Sequence, residues 1–250
     1  MEGNRALLDE ALAVVRAANE AGLPVRLAGS AAVLAHAPRA AASYSALARR
    51  VADIDLVTRS KVTTSAIEGL LVPRGYEPLS HHNVWHGETR QMFDREDGLH
   101  IDVFRDELNF CHPIEVKDRL EADDPTIPLP ELLLAKLQIV EITEKDFQDV
   151  ALLFLDHELG PGHDEIDGAA VAPVLAHDWG FWYTATSNLE KTRAYLGRSP
   201  FADDERRDVA ARIAALEARI EEEPKSGRWK LRSRIGTKKR WYQEVEEAHR

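Results

Sequence analysis

Three aspartates are the residues of this chain whose type and spacing most directly predict chemistry. Asp53 and Asp55 alternate with apolar residues in segment 51–57, and Asp102 lies between apolar residues in segment 100–104. Alternate side chains of a β-strand share a face, so we expect Asp53 and Asp55 on one face, about 6.6 Å apart along the strand. Carboxylates held this close repel unless a cation lies between them, and oxygen-only ligands suit Mg²⁺ or Mn²⁺. The three aspartates therefore predict a divalent-metal site on a rigid sheet.

A glycine–serine turn precedes the aspartates. Segment 24–28 predicts a short strand, Gly29 and Ser30 its turn, and segment 31–37 a helix. At such a junction backbone N–H groups can approach a phosphate, and a serine hydroxyl adds a donor. Glycine–serine turns and Asp-x-Asp strands are each common. Asp102 adds an acid flanked by core residues, which is costly unless the acid serves a site, and the combination predicts a phosphate and metal site.

The elements that must hold these residues predict an α+β domain. Apolar residues recur at helical spacing over 5–21, before Gly22, and predict an amphipathic helix. Strands are predicted over 24–28, 52–58, 75–79, 88–93 and 99–104, a helix over 60–71, and a loop or irregular helix over the Ala- and Arg-rich stretch 38–50. We therefore predict helices packed on a mixed sheet in a domain that covers residues 1–120.

The remainder of the chain predicts helices. Three prolines and an acidic run in segment 121–130 mark the boundary. The predicted helices cover 130–142, 144–157, 168–178 (kinked or broken at Pro173), 182–197, 203–223 and 224–235. Thr143 and Asp146 have the spacing of a capping box. The second predicted domain is helical and covers residues 121–250, with a basic C-terminal segment.

Composition excludes several classes of protein. The chain has 250 residues, of which 44% are hydrophobic and 30% charged, as in ordinary soluble globular proteins. Cys111 is the single cysteine, which rules out an internal disulfide. We find no signal peptide and no apolar run near the ~20 residues that span a membrane, so we expect a cytoplasmic protein without a membrane partner. The formal net charge of −11 argues against a protein coated with nucleic acid.

The charge is unevenly distributed along the chain. Between Lys225 and Trp241 there are eight basic residues and no acidic one. The basic residues are Lys225, Arg228, Lys230, Arg232, Arg234, Lys238, Lys239 and Arg240. Trp229, Trp241 and Tyr242 are interleaved with them and could stack on nucleotide bases, although a terminal helix docked on the domain explains them nearly as well. The segment is either an anion-binding patch or a solvated face.

In their order along the chain, these features resemble the nucleotidyltransferase superfamily of the DNA polymerase β type. That superfamily has a strand with a Gly-Ser turn, an Asp-x-Asp strand and a third aspartate on a later strand. Gly29 and Ser30, Asp53 and Asp55, and Asp102 match this pattern in order and setting. One departure is the separation of Ser30 from Asp53 by 22 residues, which is longer than the usual spacing.

Two downstream segments look like the AbiEii-type branch of the superfamily, which includes toxins of bacterial toxin–antitoxin pairs. One is a Lys-Leu helix with Lys136, and the other contains Asp146 and Asp149. The resemblance covers about residues 25–155 and implies that Lys136, Asp146 and Asp149 contact the nucleotide. Two structural alternatives are a lysine whose stem lies along an apolar surface and an ion-pair cluster with Lys145 on a helix surface.

The resemblance implies a nucleotidyltransferase-like mixed sheet with flanking helices, followed by a helical C-terminal domain. The implied activity is transfer of an NMP from an NTP to an acceptor hydroxyl. Mg²⁺ or Mn²⁺ would be bound by Asp53, Asp55 and Asp102, and the nucleotide would also contact Gly29 and Ser30.

The sequence leaves the acceptor open. RNA, such as a tRNA end, bound through the segment Lys225–Arg240 is the first hypothesis, with an antitoxin as a partner if the protein is a toxin. A protein hydroxyl or a cationic small molecule such as an aminoglycoside fits the net acidity. A non-catalytic regulatory module on the same scaffold is a third hypothesis, and intact acids at all three positions count against it.

Overall fold

The structure, a computed structural model, describes residues 2–37, 39, 42–44 and 49–245, which form two compact units. One unit comprises Met1–Leu108 and Glu115–Pro128, and the other comprises Asn109–Ile114 and Leu129–Arg250. Most of the predicted irregular stretch 38–50 lies outside the described residues.

The first unit alternates helices and strands. Its elements are α1 (Glu2–Glu20), β1 (Val25–Ala28), α2 (Gly29–His36), β2 (Asp53–Thr58), α3 (Thr64–Leu71), β3 (Tyr76–Pro78), α4 (Ser80–His86), β4 (Arg90–Arg95) and β5 (His100–Arg105). Two short strands, β6 (Glu107–Asn109) and β7 (Pro113–Glu115), follow where the chain leaves this unit and returns to it.

A five-stranded mixed sheet is the frame of the first unit. Its strand order is β1-β2-β5-β4-β3, with β2 and β5 parallel and the other neighbours antiparallel. A parallel pair needs a long connection, which segment 59–99 provides with α3, β3, α4 and β4. The predicted α+β class with a mixed sheet is confirmed.

The core of the first unit explains why the aspartates alternate with apolar residues. Ile54 and Leu56 are at most 1% exposed on one face of β2, which leaves Asp53 and Asp55 on the opposite face. Helix α1 buries one stripe of apolar residues and contacts β1 and α2. The stripe consists of Leu7, Ala11, Val14, Val15 and Ala18.

The second unit is helical. Its elements are α5 (Leu129–Leu137), α6 (Glu144–Asp156), α7 (Gly168–His177), α8 (Trp179–Leu196), α9 (Asp203–Glu222) and α10 (Gly227–Ser233), with a 3₁₀ turn at Gly236–Lys238. Within the described part of the chain, no helix combines the length and the apolar character needed to cross a bilayer.

The predicted end of one helix and the predicted break in another differ from the observed structure. Helix α5 ends at Leu137 rather than at residue 142, because the Asn188 side chain donates to the carbonyls of Leu137 and Ile139 at 3.0 and 2.7 Å. Helix α7 continues through Pro173, so the predicted break at this proline does not occur. Buried residues on both sides of this proline anchor both halves of α7. These residues are Val171, Ala172, Leu175 and Ala176.

Candidate active site

The register of the sheet brings the three predicted aspartates onto one face. In the parallel pair of β2 and β5, Asp55 lies opposite Asp102 and Asp53 lies opposite His100. Opposed residues on neighbouring strands point to the same face and are about 4.8 Å apart across the sheet. Asp102 is buried, Asp55 is half-buried and Asp53 is exposed. The face therefore holds two adjacent carboxylates, with a third at its exposed margin.

Gly29 is in direct contact with this carboxylate face. It begins α2 with φ +61°, and a Cβ placed on it would lie 2.0 Å from Oδ2 of Asp55. Positive φ and lack of space both favour glycine here. The carboxylate of Asp55 thus lies against the first residue of α2, where the positive end of the helix dipole favours an anion. Gly29 is needed for the position of Asp55.

Ser30 is bonded to an arginine that the sequence analysis missed. Nη2 of Arg49 donates a hydrogen bond to Oγ of Ser30 at 2.7 Å. Asn4 holds this arginine by donating to its carbonyl at 2.8 Å, and the Asn4 side-chain oxygen accepts from the N–H of Val51 at 3.0 Å. The guanidinium also lies 5.6 Å from the centre of the Tyr44 ring. The guanidinium of Arg49 is therefore held beside the Gly-Ser turn.

A second unpredicted arginine contacts Asp102. Nη2 of Arg90 is 2.5 Å from Oδ2 of Asp102, and the guanidinium lies 5.0 Å from the centre of the Phe104 ring. In the antiparallel register of β4 and β5, Arg90 lies opposite Phe104 and Met92 opposite Asp102, which places Arg90 on the same face. The negative charge of Asp102 is therefore compensated by an arginine.

The same face carries an imidazole beside Asp53. Nδ1 of His100 lies 2.6 Å from Oδ1 of Asp94, and these residues are opposed in the register of β4 and β5. Charged or polar side chains thus lie on this face in each of β2, β5 and β4, beside the buried Met92 and Phe104.

The donor chemistry of this face fits a hard divalent cation, and its geometry fits in part. Asp53, Asp55 and Asp102 offer carboxylate oxygens, the ligands that Mg²⁺ and Mn²⁺ prefer. Among the described residues, these three are not a group whose ligand atoms all lie within 4.8 Å of one another. Asp53 lies one residue pair further along β2, and Asp102 is paired with Arg90. Asp55 and Asp102 are the adjacent members of the set.

Removal of Arg90 tests whether this face binds a cation. We expect Arg90→Gln to lower the free energy of unfolding by about 1–3 kcal/mol, because it leaves the buried carboxylate of Asp102 without its guanidinium. Millimolar Mg²⁺ should restore part of this loss by compensating the same charge. Chemical denaturation with and without Mg²⁺ measures both effects.

Arg95→Gln is the matched control for this prediction. Arg95 lies on the same strand, pairs with Glu10 at 3.1 Å and Asp97 at 2.8 Å, and is outside the carboxylate face. The Arg95→Gln variant should be less stable than the wild type, and Mg²⁺ should not restore this loss. An Arg90→Gln protein that Mg²⁺ stabilises no more than the wild type would contradict a metal site at Asp102.

Lys136, Asp146 and Asp149 form an ion-pair cluster in the second unit. Nζ of Lys136 lies 2.7 Å from Oδ2 of Asp149, which is fully buried, and 3.8 Å from Oδ1 of Asp146. Asp146 also accepts hydrogen bonds from the N–H and hydroxyl of Thr143, at 3.1 and 2.8 Å, so the predicted capping box of α6 is confirmed. All three residues have structural contacts, and their contact with a nucleotide stays a prediction.

The buried pair gives Lys136 a measurable effect on stability. We expect Lys136→Met to lower the free energy of unfolding by about 3 kcal/mol, because it removes the nearest cation from a buried carboxylate. Lys145→Met, an exposed change on α6, should alter it by less than about 0.5 kcal/mol. Urea denaturation of both variants measures the difference. Equal stabilities of Lys136→Met and Lys145→Met would contradict a structural role for Lys136.

The basic segment Lys225–Arg240 is docked on the second unit through its aromatic residues. Trp229 packs edge-on against Trp182 with ring centres 5.2 Å apart. Trp241 packs edge-on against Tyr183, also at 5.2 Å, and its indole N–H donates to the hydroxyl of Thr184 at 3.0 Å. These contacts favour the docking interpretation for Trp229 and Trp241.

Two cations of the segment are engaged by backbone carbonyls. Lys225 donates to the carbonyl of Ile220. Arg232 donates to the carbonyls of Gly236 and Lys239 at 2.7 and 2.8 Å, which ties α10 to the chain that follows it. These two side chains therefore stabilise the segment itself.

The comparisons with known proteins do not assign a family. No protein-family model and no curated protein matches the chain. The chain is similar to the crystal structure of an antigenic nucleotidyltransferase-like protein from Paracoccidioides brasiliensis, with a TM-score of 0.40 and 13% sequence identity. That similarity covers 89% of this chain and 95% of the other. At this TM-score and identity it establishes neither family nor activity, and any assignment of function depends on the residues of the site.

Proposed function

We propose that this protein is a metal-dependent nucleotidyltransferase that transfers an NMP from an NTP to an acceptor hydroxyl. The observation that carries the proposal is the placement of Asp55 beside Asp102 on parallel strands, with Asp53 on the same face. Repulsion between neighbouring carboxylates lowers the folding stability unless a cation compensates it, so such a cluster is typical of a binding site. Mg²⁺ or Mn²⁺ bound there would neutralise charge on the phosphates of the nucleotide.

The residues around the aspartates support the binding of phosphate. The Gly29–Ser30 turn presents the N-terminal N–H groups of α2, and Arg49 adds a guanidinium bonded to Ser30. Both groups favour phosphate oxygens. Arg90 would position the carboxylate of Asp102 through their ion pair. The nucleotide contacts proposed for Lys136, Asp146 and Asp149 depend on the sequence resemblance alone.

We propose RNA, such as a tRNA end, as the acceptor. The segment Lys225–Arg240 supports this, because it concentrates eight basic residues in a chain of net charge −11. Counterion release from phosphates makes such segments bind nucleic acid strongly at low salt. The resemblance to AbiEii-type proteins supports a toxin with an antitoxin partner, and the single cysteine fits the cytoplasmic location that we propose.

A non-catalytic binding or regulatory module is the second candidate. The ion pair between Arg90 and Asp102 favours it, because this carboxylate is compensated without a metal. The two candidates differ in whether Mg²⁺ binds and whether label is transferred. A protein hydroxyl or an aminoglycoside is the alternative acceptor within the first candidate.

Label transfer tests the proposed activity and identifies the acceptor class. The protein is incubated with each NTP labelled at the α-phosphate and with Mg²⁺ or Mn²⁺. Total RNA, cell protein and aminoglycosides are offered as acceptors separately. We expect label in RNA. Label in another pool would identify a different class of acceptor. If the folded protein transfers label from no NTP to any pool, the proposed activity is refuted.

A further inference from the structure

A cavity of about 650 Å³ lies within the second unit. Its lining includes Arg228, Leu231 and Arg232 of α10 together with Trp241 and Tyr242. Ligand pockets typically have volumes of about 300–1,000 Å³, so this cavity is large enough for a mononucleotide. The carboxylate face of the first unit plays no part in it.

The guanidinium groups of this cavity differ in what they contact. Arg232 is engaged by backbone carbonyls and lies 5.0 Å from the centre of the Trp179 ring, so it is structural. Arg228 is exposed and enters no ion pair among the described residues. Arg240 pairs with Glu244 at 2.5 Å, but both side chains are more than half exposed, and such pairs exchange readily. Arg228 and Arg240 are therefore the cations available to an anion.

The other charges near the cavity leave its character cationic. His112 is buried at its margin, and burial lowers its pKa to about 4, so it is neutral at pH 7. The carboxylate of Asp178 is engaged as the N-cap of α8, where it accepts from the N–H of Phe181 at 3.0 Å. Arg228, Arg232 and Arg240 outnumber this one carboxylate among the lining residues, so the lining has a net positive charge.

Apolar and aromatic surface accompanies these cations. Leu231 of α10 is 65% exposed and Ile235, just beyond the end of α10, is 39% exposed, and both line the cavity. The rings of Trp241 and Tyr242 meet edge-on at 5.3 Å. A site for a bare phosphate would need none of this surface, whereas a planar base can pack on aromatic and aliphatic side chains.

We propose that this cavity binds a nucleoside monophosphate unit. The phosphate would be bound by Arg228 and Arg240, and the base would pack between Leu231 and the rings of Trp241 and Tyr242. The unit belongs either to an RNA strand or to a free nucleotide, since both present the same chemistry. The identification of the strand as the acceptor rests on the proposed function, and the binding itself does not.

Binding of a labelled single-stranded RNA hexamer to the full chain in EDTA tests this site. Fluorescence anisotropy gives the affinity, and unlabelled AMP and inorganic phosphate are the competitors. We expect Arg228→Gln to weaken binding about tenfold, the effect of one charge-assisted hydrogen bond. Arg234→Gln is the matched control, because Arg234 is exposed in the same segment and does not line the cavity. It should weaken binding by about twofold or less.

A second variant separates stacking from charge. Tyr242→Leu should weaken RNA and AMP binding about fivefold or more, because it removes an aromatic ring on which the base would stack. Its melting temperature is measured first, together with that of Arg228→Gln, and binding is compared at a temperature at which every variant is folded.

The outcomes distinguish the two sources and test the site itself. AMP that competes better than phosphate supports a nucleotide site, and an RNA hexamer that binds more tightly than AMP identifies a strand as the ligand. Equal losses in Arg228→Gln and Arg234→Gln would show unspecific charge attraction and overturn the proposal, as would binding of neither RNA nor AMP. Because EDTA removes divalent metals, a catalytically inactive protein that still binds RNA here would refute the proposed activity and support this site.

Discussion

Asp55→Asn is expected to lower the rate of nucleotide transfer by about a thousandfold or more. Loss of one carboxylate from a metal site removes several kcal/mol of charge stabilisation, and each 1.36 kcal/mol is a factor of about ten. Asparagine keeps the shape that packs against Gly29, so the fold should be retained. Its free energy of unfolding should change little, because relief of the repulsion from Asp102 offsets the lost attraction to the N-terminus of α2. Label transfer and thermal melting measure the two effects.

Asp118→Asn is the control for this change. Asp118 is an exposed carboxylate of the same unit. Its replacement removes the same charge away from the carboxylate face and should leave transfer unaltered. If Asp55→Asn instead lowers the melting temperature sharply, with or without Mg²⁺, the aspartate is a structural hydrogen-bond acceptor and the enzyme hypothesis should be abandoned.

Gly29→Ala is expected to lower both stability and transfer. Alanine at φ +61° costs about 1 kcal/mol, and its Cβ would lie 2.0 Å from Oδ2 of Asp55, so the carboxylate must move. A displacement of about 1 Å at a catalytic group costs about a hundredfold in rate. We therefore expect a lower melting temperature together with a loss of transfer of about that size.

Gly98→Ala separates backbone strain from displacement of the carboxylate. Gly98 has φ +84°, and a Cβ there meets nothing within 4 Å. This variant should lose a similar amount of stability to strain and keep full transfer. Combining Gly29→Ala with Asp55→Ala removes the carboxylate and so most of the clash, and the destabilisation of the pair should be smaller than the sum of the two single changes. Full transfer by Gly29→Ala would show that the position of Asp55 does not matter.

The sequence predicted the parts of the fold and site that depend on local pattern. Apolar residues at a period of two located β2 within one residue of its observed start, and Asp102 was placed on the strand observed as β5. Each aspartate was therefore assigned to the correct strand. Alternation along one strand is enough for this, because it reports only which face a side chain occupies.

The neighbours of the aspartates could not be predicted in this way. Arg49 reaches Ser30 across 19 residues and Arg90 reaches Asp102 across 12, and neither contact has a local motif. Arg90 meets Asp102 only because β4 and β5 pair in one register. Similarly, Lys136 was assigned to the nucleotide from the family resemblance, and its contact with Asp149 depends on how α5 and α6 pack.

The parallel pairing of β2 with β5 has a consequence for synthesis of the chain on the ribosome. Strand β5 lies between β2 and β4 and is the last of the five strands to be made. A nascent chain that ends before residue 100 contains Asp53 and Asp55 without their neighbour on β5. Because closing the long connection precedes any gain from the new contacts, we expect this pairing to be the slow part of assembling the sheet. The carboxylate pair thus forms only when the central strand is inserted, and an incomplete chain contains no assembled site.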